Sequence, residues 1–352
     1  MESTPTIQEK TSSSKVGTYL FDNERFLGTI LILPAVFYIL LLVGIPFALS
    51  IAYSFSDVTI GNQSYDYVGL DTYKRVIDNP VFRTALGNNF RFTIVSQVLV
   101  TVLSVILALA LSQEFPGKWL FRFLIILPWV TPIAIGTVGW LYMLDTIYSP
   151  IDYILREVGL LGNTEDKGAI VRGLTDTLQN WGIVDSDTAL KLNCQIRGTR
   201  EVCFTNMQYL GQEKTALASV ITVHVWRMLP LSTIIVLAGL TSIPADIRDA
   251  VAVDGVGAMR AFFEVTLPLI APITGIATLF GLIFTFTDVT VITVLTKGGP
   301  ANHTQVLPYW AYLKGIQGTN LAEGAAIALF MFPVLLAVAI LVLTLIRRRE
   351  IA

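Results

Sequence analysis

Charge, histidine and cysteine are all scarce in this sequence. Of 352 residues, 14% are charged and only two are His and two Cys, where an ordinary soluble domain has roughly 25% charged residues. Such sparse His and Cys leave no ligand set with metal-site spacing, and two cysteines cannot build a disulfide-dense secreted module. No HExxH or GxSxG stretch occurs, which removes two common hydrolase arrangements. Lys and Arg number 24 against 26 Asp and Glu, a formal charge of −2, so no cationic field favours nucleic acid. A G-x-x-x-x-G-K-[S/T] phosphate loop is also missing: Gly117-Lys118 lacks both the upstream Gly and the following hydroxyl residue. The chain is therefore not expected to cradle nucleotide phosphates in that way.

What is present is apolar. Hydrophobic residues make up 53% of the chain, and they fall into runs long enough to cross ~30 Å of hydrocarbon, which takes about 20 helical residues. Six spans are expected, at 27–53, 88–111, 120–142, 216–240, 269–291 and 325–346, giving an all-α integral membrane protein. The polar stretch 1–26 reads as a cytoplasmic tail. The first apolar run outlasts a signal-peptide core and is followed by no small-residue cleavage site. Pro34 and Pro46 within it are tolerable because neighbouring helices or local adjustment can satisfy the freed backbone groups.

Six crossings put both termini on one side. Basic residues close to the crossing ends set the orientation. With the N-terminus inside, that side holds Lys10, Lys15, Arg25, Lys118, Arg122, Arg248, Arg260 and the run Arg347-Arg348-Arg349, whereas the short outer segments hold Lys74, Arg75, Arg83, Arg91, Lys297 and Lys314. The excess predicts cytoplasmic termini. The connection 145–215 is too long to be a bare loop in a compact protein and reads as an extracytoplasmic insert, with Ile151, Ile154, Leu155, Trp181 and Ile183 as its own apolar residues and Asp185 and Asp187 as solvated loop. Both cysteines lie here. An oxidising exterior would allow Cys194 and Cys203 to form a disulfide; two free thiols are the alternative.

The inner loop 243–268 differs from the others. Pro244 can open a helix with Asp246 and Asp249 in its first turn, where acids suit the positive end of the helix dipole. Asp254-Gly255 is a turn signal. A second short helix over about 256–265 would then present Met259, Phe262 and Phe263 before Leu267-Pro268 opens the next crossing. An elbow with this much apolar surface needs a cover. A lipid-lying helix usually displays several Lys or Arg, and this one has only Arg248 and Arg260, offset by four acids, so a protein groove is the expected cover.

Asp249-Ala250-Val251-x-x-Asp254-Gly255, with Phe263 and Leu267-Pro268-x-x-x-Pro272 after it, resembles the EAA loop of permease subunits in binding-protein-dependent ABC importers. Phe286-Thr287-Asp288 leading to Leu295-Thr296-Lys297-Gly298-Gly299-Pro300, Val225-Trp226-Arg227-Met228-Leu229-Pro230 leading to Leu237-Ala238-Gly239-Leu240, and Tyr67-Val68-Gly69-Leu70-Asp71-Thr72-Tyr73 are similar to the carbohydrate, maltose-type branch. Asp249 stands where the family has Glu, and Val251 where it has its second Ala. The resemblance implies a transport subunit rather than an enzyme, in a bacterial or archaeal cytoplasmic membrane. It implies a separate ATPase dimer that binds ATP and Mg²⁺, a second permease, an extracytoplasmic solute-binding protein, and a sugar or polyol as cargo. Arg248, Asp249, Ala250, Asp254, Gly255 and Phe263 would then couple the chain to the ATPase.

Ionisable residues inside crossings are costly and are pathway candidates by default. Arg227 lies about 16 Å from the outer end of its span, near the midplane, and Asp288 nearer the outer end of its own. A sugar presents apolar CH faces and hydroxyl edges, which suits an aromatic plate beside polar groups. Trp226, Arg227, Thr287 and Asp288 are the candidate pathway residues; pairing of Arg227 with an acid for packing alone is the alternative. His224 reads as an interior residue, and Trp129 and Trp140 as interfacial. Two other classes stay in view. An ion-coupled secondary transporter would show internal repeats, and none is convincing. A membrane-embedded transferase would need a catalytic cluster, which the His and Cys counts do not supply.

Overall fold

In a computed structural model, the structure describes residues 24–62, 65–158, 190–197 and 200–350, of which 24–25, 190–197, 200–205 and 348–350 are described by backbone alone. Residues 1–23 of the expected tail and the residues Trp181, Ile183, Asp185 and Asp187 lie outside the described residues. Five helices are long and apolar enough to cross a membrane, or six counting one bent pair. In chain order the elements are α1 (Phe26–Ser54), α2 (Asp71–Asp78), α3 (Pro80–Ser112), α4 (Lys118–Val130), α5 (Ile133–Met143), α6 (Pro150–Glu157), β1 (Leu190–Arg197), β2 (Arg200–Met207), α7 (Glu213–Thr241), α8 (Ala245–Val253), α9 (Ala258–Phe286), α10 (Thr290–Leu295), α11 (Leu307–Tyr312) and α12 (Leu321–Glu350).

The bundle centres on α3, α7 and α9, which pack mutually, with α12 against α9 and α1 against α12. The apolar window of α1 is left uncovered by the rest of the chain, so its outer face is suited to lipid. Phe47 of α1 meets Phe332 of α12 with ring centroids 5.4 Å apart. One part of the core gathers Phe92, Met228, Ile292 and Tyr309, and a second, next to the elbow 243–268, Val236, Leu240, Ile243 and Ile270. Close approach of α7 to α9 depends on Gly239, where an added Cβ would run into Ile273.

Three segments differ from their sequence reading. The run 120–142 is a pair of helices bent by 98°. Pro132 explains the break, because the residue before a proline is pushed out of the helical region, and Thr131 has ψ 130°. The run 269–291 stops being helical at Phe286 and resumes at Thr290, because the Asp288 carboxylate accepts the N–H groups of Thr290 (2.8 Å) and Val291 (3.2 Å) and starts a new helix. At 256–268, where two helices were expected, α9 is continuous through a π-turn at Phe262–Thr266. Its closing donor, the Leu267 N–H bonded to the Phe262 carbonyl, is the residue immediately before Pro268. Leu40–Gly44 repeats the device, with Ile45 N–H closing onto the Leu40 carbonyl just before Pro46. A wider turn accommodates the missing donor and the ring of a proline that would otherwise kink the helix.

The insert adds a feature the all-helical reading lacked. β1 and β2 form an antiparallel hairpin whose register sets Cys194 opposite Cys203. Buried Asp152 of α6 holds the hairpin's base, accepting the Met207 N–H (3.0 Å) and the Tyr209 hydroxyl (2.6 Å), while Arg156 donates to Asn206 (2.8 Å). Burial raises the Asp152 pKa above its usual carboxylate value, with the hydrogen bonds from Tyr209 and Met207 and the charge of Arg156 opposing the rise. Burial also raises that of Tyr209, with the neighbouring carboxylate adding to the effect.

Candidate functional site

Arg227 is the central residue of the 29-residue α7. Its Nη1 donates to Asp288 Oδ2 at 2.7 Å, and the Asp288 side chain is 3% exposed. The other oxygen of Asp288 takes the two backbone N–H groups at the start of α10. The carboxylate is thereby paired and hydrogen-bonded on both sides, as a buried charge must be. His224, one turn above Arg227 and fully buried, brings Nδ1 within 3.2 Å of the same Asp288 oxygen, without the alignment of a hydrogen bond. On its other side His224 Nε2 lies 2.9 Å from Thr285 Oγ1. With the Thr285 hydrogen on the Gly281 carbonyl (2.7 Å), that contact is donated by the imidazole. His224 is thus part of the cluster, which its reading as a plain interior residue understated.

Trp226 and Thr287 do not join the ion pair. Trp226 packs edge-on against Trp140 of α5, centroids 5.6 Å apart. Trp129 of α4 meets Phe284 of α9 in the same manner at 6.3 Å. The bend at Pro132 carries these tryptophans inward. That bend is the reason Trp129 and Trp140, read as interfacial, are partly buried against the core. Thr287 is exposed, its hydroxyl donating to the Ile283 carbonyl of its own helix at 2.9 Å.

The elbow has the opposite character. α8 opens after Pro244 and ends at Asp254-Gly255, with Gly255 at φ 63°, a conformation that favours glycine. Ile247 and Phe262 turn inward onto Leu240, Ile243 and Ile270. Arg248, Asp249, Ala250, Asp254 and Gly255 are all exposed, and among the described residues no ion pair ties down Arg248, Asp249 or Asp254. Val253, Met259 and Phe263 are 88%, 73% and 56% exposed. Behind α8 lies a cavity of about 390 Å³ between the elbow and the ends of α3, α7 and α9, lined in part by Leu109, Ile247, Arg248, Val251 and Leu269. The elbow is rooted in the bundle by one face and bare on the other.

The model of the binding-protein-dependent transport system inner membrane component family matches residues 80–351, from the start of α3 through α12 and both regions just described. The chain belongs to that family. It is a transport permease subunit, an inner-membrane component rather than an enzyme. The permease is 27% identical over 331 residues to the trehalose/maltose transport system permease protein MalF of Thermococcus litoralis, covering 93% of this chain and 96% of that one. It is 22% identical over 328 residues to the sulfoquinovosyl glycerol transport system permease protein SmoG of Agrobacterium fabrum, covering 93% and 92%. A chain of a bacterial alginate ABC transporter, solved in complex with an alginate pentasaccharide-bound periplasmic protein, has the same fold. Its TM-score is 0.70 at 17% identity, covering 95% of the permease and 98% of that chain.

The residues that reading by motif missed are on α3. Asn89, Thr93, Gln97 and Thr101 repeat every fourth position along one face of a mainly apolar helix. A search for polar residues at helical spacing would have found them.

Proposed function

We propose that this permease imports a sugar or related polyol and draws the work from a separate ATPase dimer, which binds ATP and Mg²⁺ and into whose cleft the elbow 243–268 fits. The single observation carrying the reading is the elbow itself: three large apolar side chains, Val253, Met259 and Phe263, bared beside exposed Asp249 and Asp254 on a rigid, rooted turn. Apolar anchors rimmed by charge are the make-up of a protein interface. A second permease completes the pathway, and an extracytoplasmic binding protein delivers solute to the face that bears the insert. Both termini are cytoplasmic, an orientation supported by the basic residues that flank the crossings. Arg248, Asp249, Ala250, Asp254, Gly255 and Phe263 form the coupling surface.

The mechanism requires the elbow to move as one piece with the ATPase. Continuity of α9 from Ala258 to Phe286 supports this, because displacement at Met259 is carried along a single helix to Thr285 and the Asp288 cluster. Trp226 with Trp140 offers an aromatic plate to the CH face of a sugar. Thr287 and the exposed part of Arg227 offer polar contacts, and Asp288 orients Arg227. The names of the relatives, which speak of trehalose, maltose and sulfoquinovosyl glycerol, support the cargo class. Cys194 and Cys203, opposite one another in the hairpin, are proposed to form a disulfide that closes the insert. Non-reducing mass spectrometry of the native protein is then expected to find neither thiol alkylated.

The test of the whole reading is purification in mild detergent. A P-loop ATPase and a sibling permease are expected to come out with the wild-type chain, and the ATPase to be lost with Asp249→Ala or Gly255→Pro. Recovery of the permease alone, or sugar uptake that persists without ATP and follows an ion gradient, would overturn it.

A further inference from the structure

The face of α3 that packs against α7 and α9 carries a polar stripe. Asn89, Thr93, Gln97 and Thr101 lie at successive steps of four, with Ser96 and Ser104 beside them. At 1.5 Å per residue, positions 89 to 104 span roughly 22 Å, most of the thickness of the hydrocarbon. Both ends of the stripe are satisfied. Asn89 Nδ2 donates to the Phe286 carbonyl at 3.3 Å, Thr101 and Thr278 share a hydrogen bond of 3.2 Å, and Ser232 donates to Ser104 at 3.0 Å.

The middle is different. Thr93 Oγ1, Ser96 Oγ and Gln97 Oε1 are sealed from bulk solvent and have no hydrogen-bond partner in the chain, although Gln97 Nε2 donates to Thr101 at 3.2 Å. Gln97 is 4% exposed. Across from it α9 has Gly281, and a Cβ there would collide with the Gln97 amide, so the helix is cut back where the amide reaches in. Thr274 Oγ1, one turn below Thr278, is unpartnered as well. Three neighbouring polar groups left unpaired in a membrane interior are costly. Their clustering on one face of one helix is a pattern that a shared hydrogen-bonding partner resolves.

We propose that Thr93, Ser96 and Gln97 form a hydroxyl-binding seam inside the bundle, taking the O–H groups of water or of the transported solute. The chemistry of the three atoms selects this ligand. Gln97 Oε1 needs a donor, and the Thr93 and Ser96 hydroxyl hydrogens need an acceptor, so a ligand that satisfies all three must do both. An O–H group does both through one oxygen. A metal cation could take these neutral oxygens but would leave both hydroxyl hydrogens without an acceptor. Where the bound group is the solute, the seam rests on the polyol reading above; where it is water, the seam stands without it.

The test uses the whole importer, with its partner subunits, in lipid nanodiscs. A brief X-ray pulse generates hydroxyl radicals from bound water and labels the side chains beside it. Phe92, next to Thr93, one turn from Ser96 and fully buried, is the reporter, because bulk water does not reach it. In the solute-free wild type Phe92 is expected to be labelled, and Gln97→Leu combined with Ser96→Ala to cut the labelling at least fivefold. The solute probe is whichever of maltose and trehalose the importer takes up. If solute hydroxyls enter the seam, saturating solute lowers Phe92 labelling and Gln97→Leu raises the half-saturation concentration of uptake at least threefold. If the ligand is water alone, labelling is indifferent to solute and half-saturation is unchanged. Phe92 left unlabelled in the solute-free wild type overturns the proposal whether or not any variant folds. Failure to find a transported sugar would touch only the cargo reading.

Discussion

The Asp288 cluster and the elbow are built on opposite principles. In the cluster, a carboxylate with almost no solvent contact is matched on one oxygen by Arg227 and on the other by two backbone N–H groups. In the elbow, Asp249 and Asp254 face solvent, and large apolar side chains stand bare beside them. A site whose partners are all inside the chain contributes to the fold. One whose partners are missing has kept its binding free energy for another molecule. The difference teaches where to look for coupling: at the exposed, unpaired region, even though the buried pair is the more arresting feature electrostatically.

The comparison is most readily broken at Asp288. Asp288→Ala leaves Arg227 without its partner in a low-dielectric site and uncaps α10, so a loss of about 3–5 kcal/mol is expected, read as a collapse of thermal stability in detergent. A variant as stable as the wild type would mean that solvent, and not Asp288, satisfies Arg227. Next is Gly281→Ala, which drives a methyl group into the Gln97 amide. Overpacking of this kind costs about 1–3 kcal/mol, and a Gln97→Ala change in the same chain is expected to recover part of it.

The Asp152 clamp of the insert belongs with the buried class but titrates. Its folded-state pKa is raised by burial, so folding favours the protonated form. The stabilisation is full below the ordinary value of 3.8 and is lost as pH rises through the raised value. Limited proteolysis of the insert is expected to speed up across that window in the wild type and to be flat in Asp152→Asn. The smallest change in stability is expected at the elbow. Val253→Ser and Met259→Ser remove side chains that are 88% and 73% exposed, so stability should stay within about 0.5 kcal/mol of wild type while the co-purified ATPase is lost. A large drop in stability there, with the ATPase retained, would move the elbow into the same class as the cluster.

Much of this was legible in the sequence. Apolar runs of twenty residues have one use, so the crossings near 27–53, 216–240 and 325–346 could be read from length alone, and helices cover each of them. Pro244 and Gly255 punctuate the elbow by backbone geometry that any context must respect, φ fixed at one and free at the other. The 120–142 run was less transparent. A proline inside a membrane helix can be absorbed, as Pro46 and Pro268 are by a π-turn, or can break the chain, as Pro132 does by 98°. Which outcome prevails depends on what waits to receive the bent segment, here Trp226 against Trp140.

The sequence by itself determined that this chain lives in a membrane, roughly where most of its long helices run, and that a Pro- and Gly-punctuated elbow with apolar residues joins two of them. Those properties follow from local composition and backbone chemistry, which act over one to five turns. Only the tertiary structure decided that Arg227 answers Asp288 across 61 positions, that His224 stands between Asp288 and Thr285, and that Gln97 faces a glycine. Such pairings depend on which faces of α3, α7 and α9 are pressed together. An apolar helix with a few scattered polar residues has several faces of nearly equal merit until its neighbours are in place.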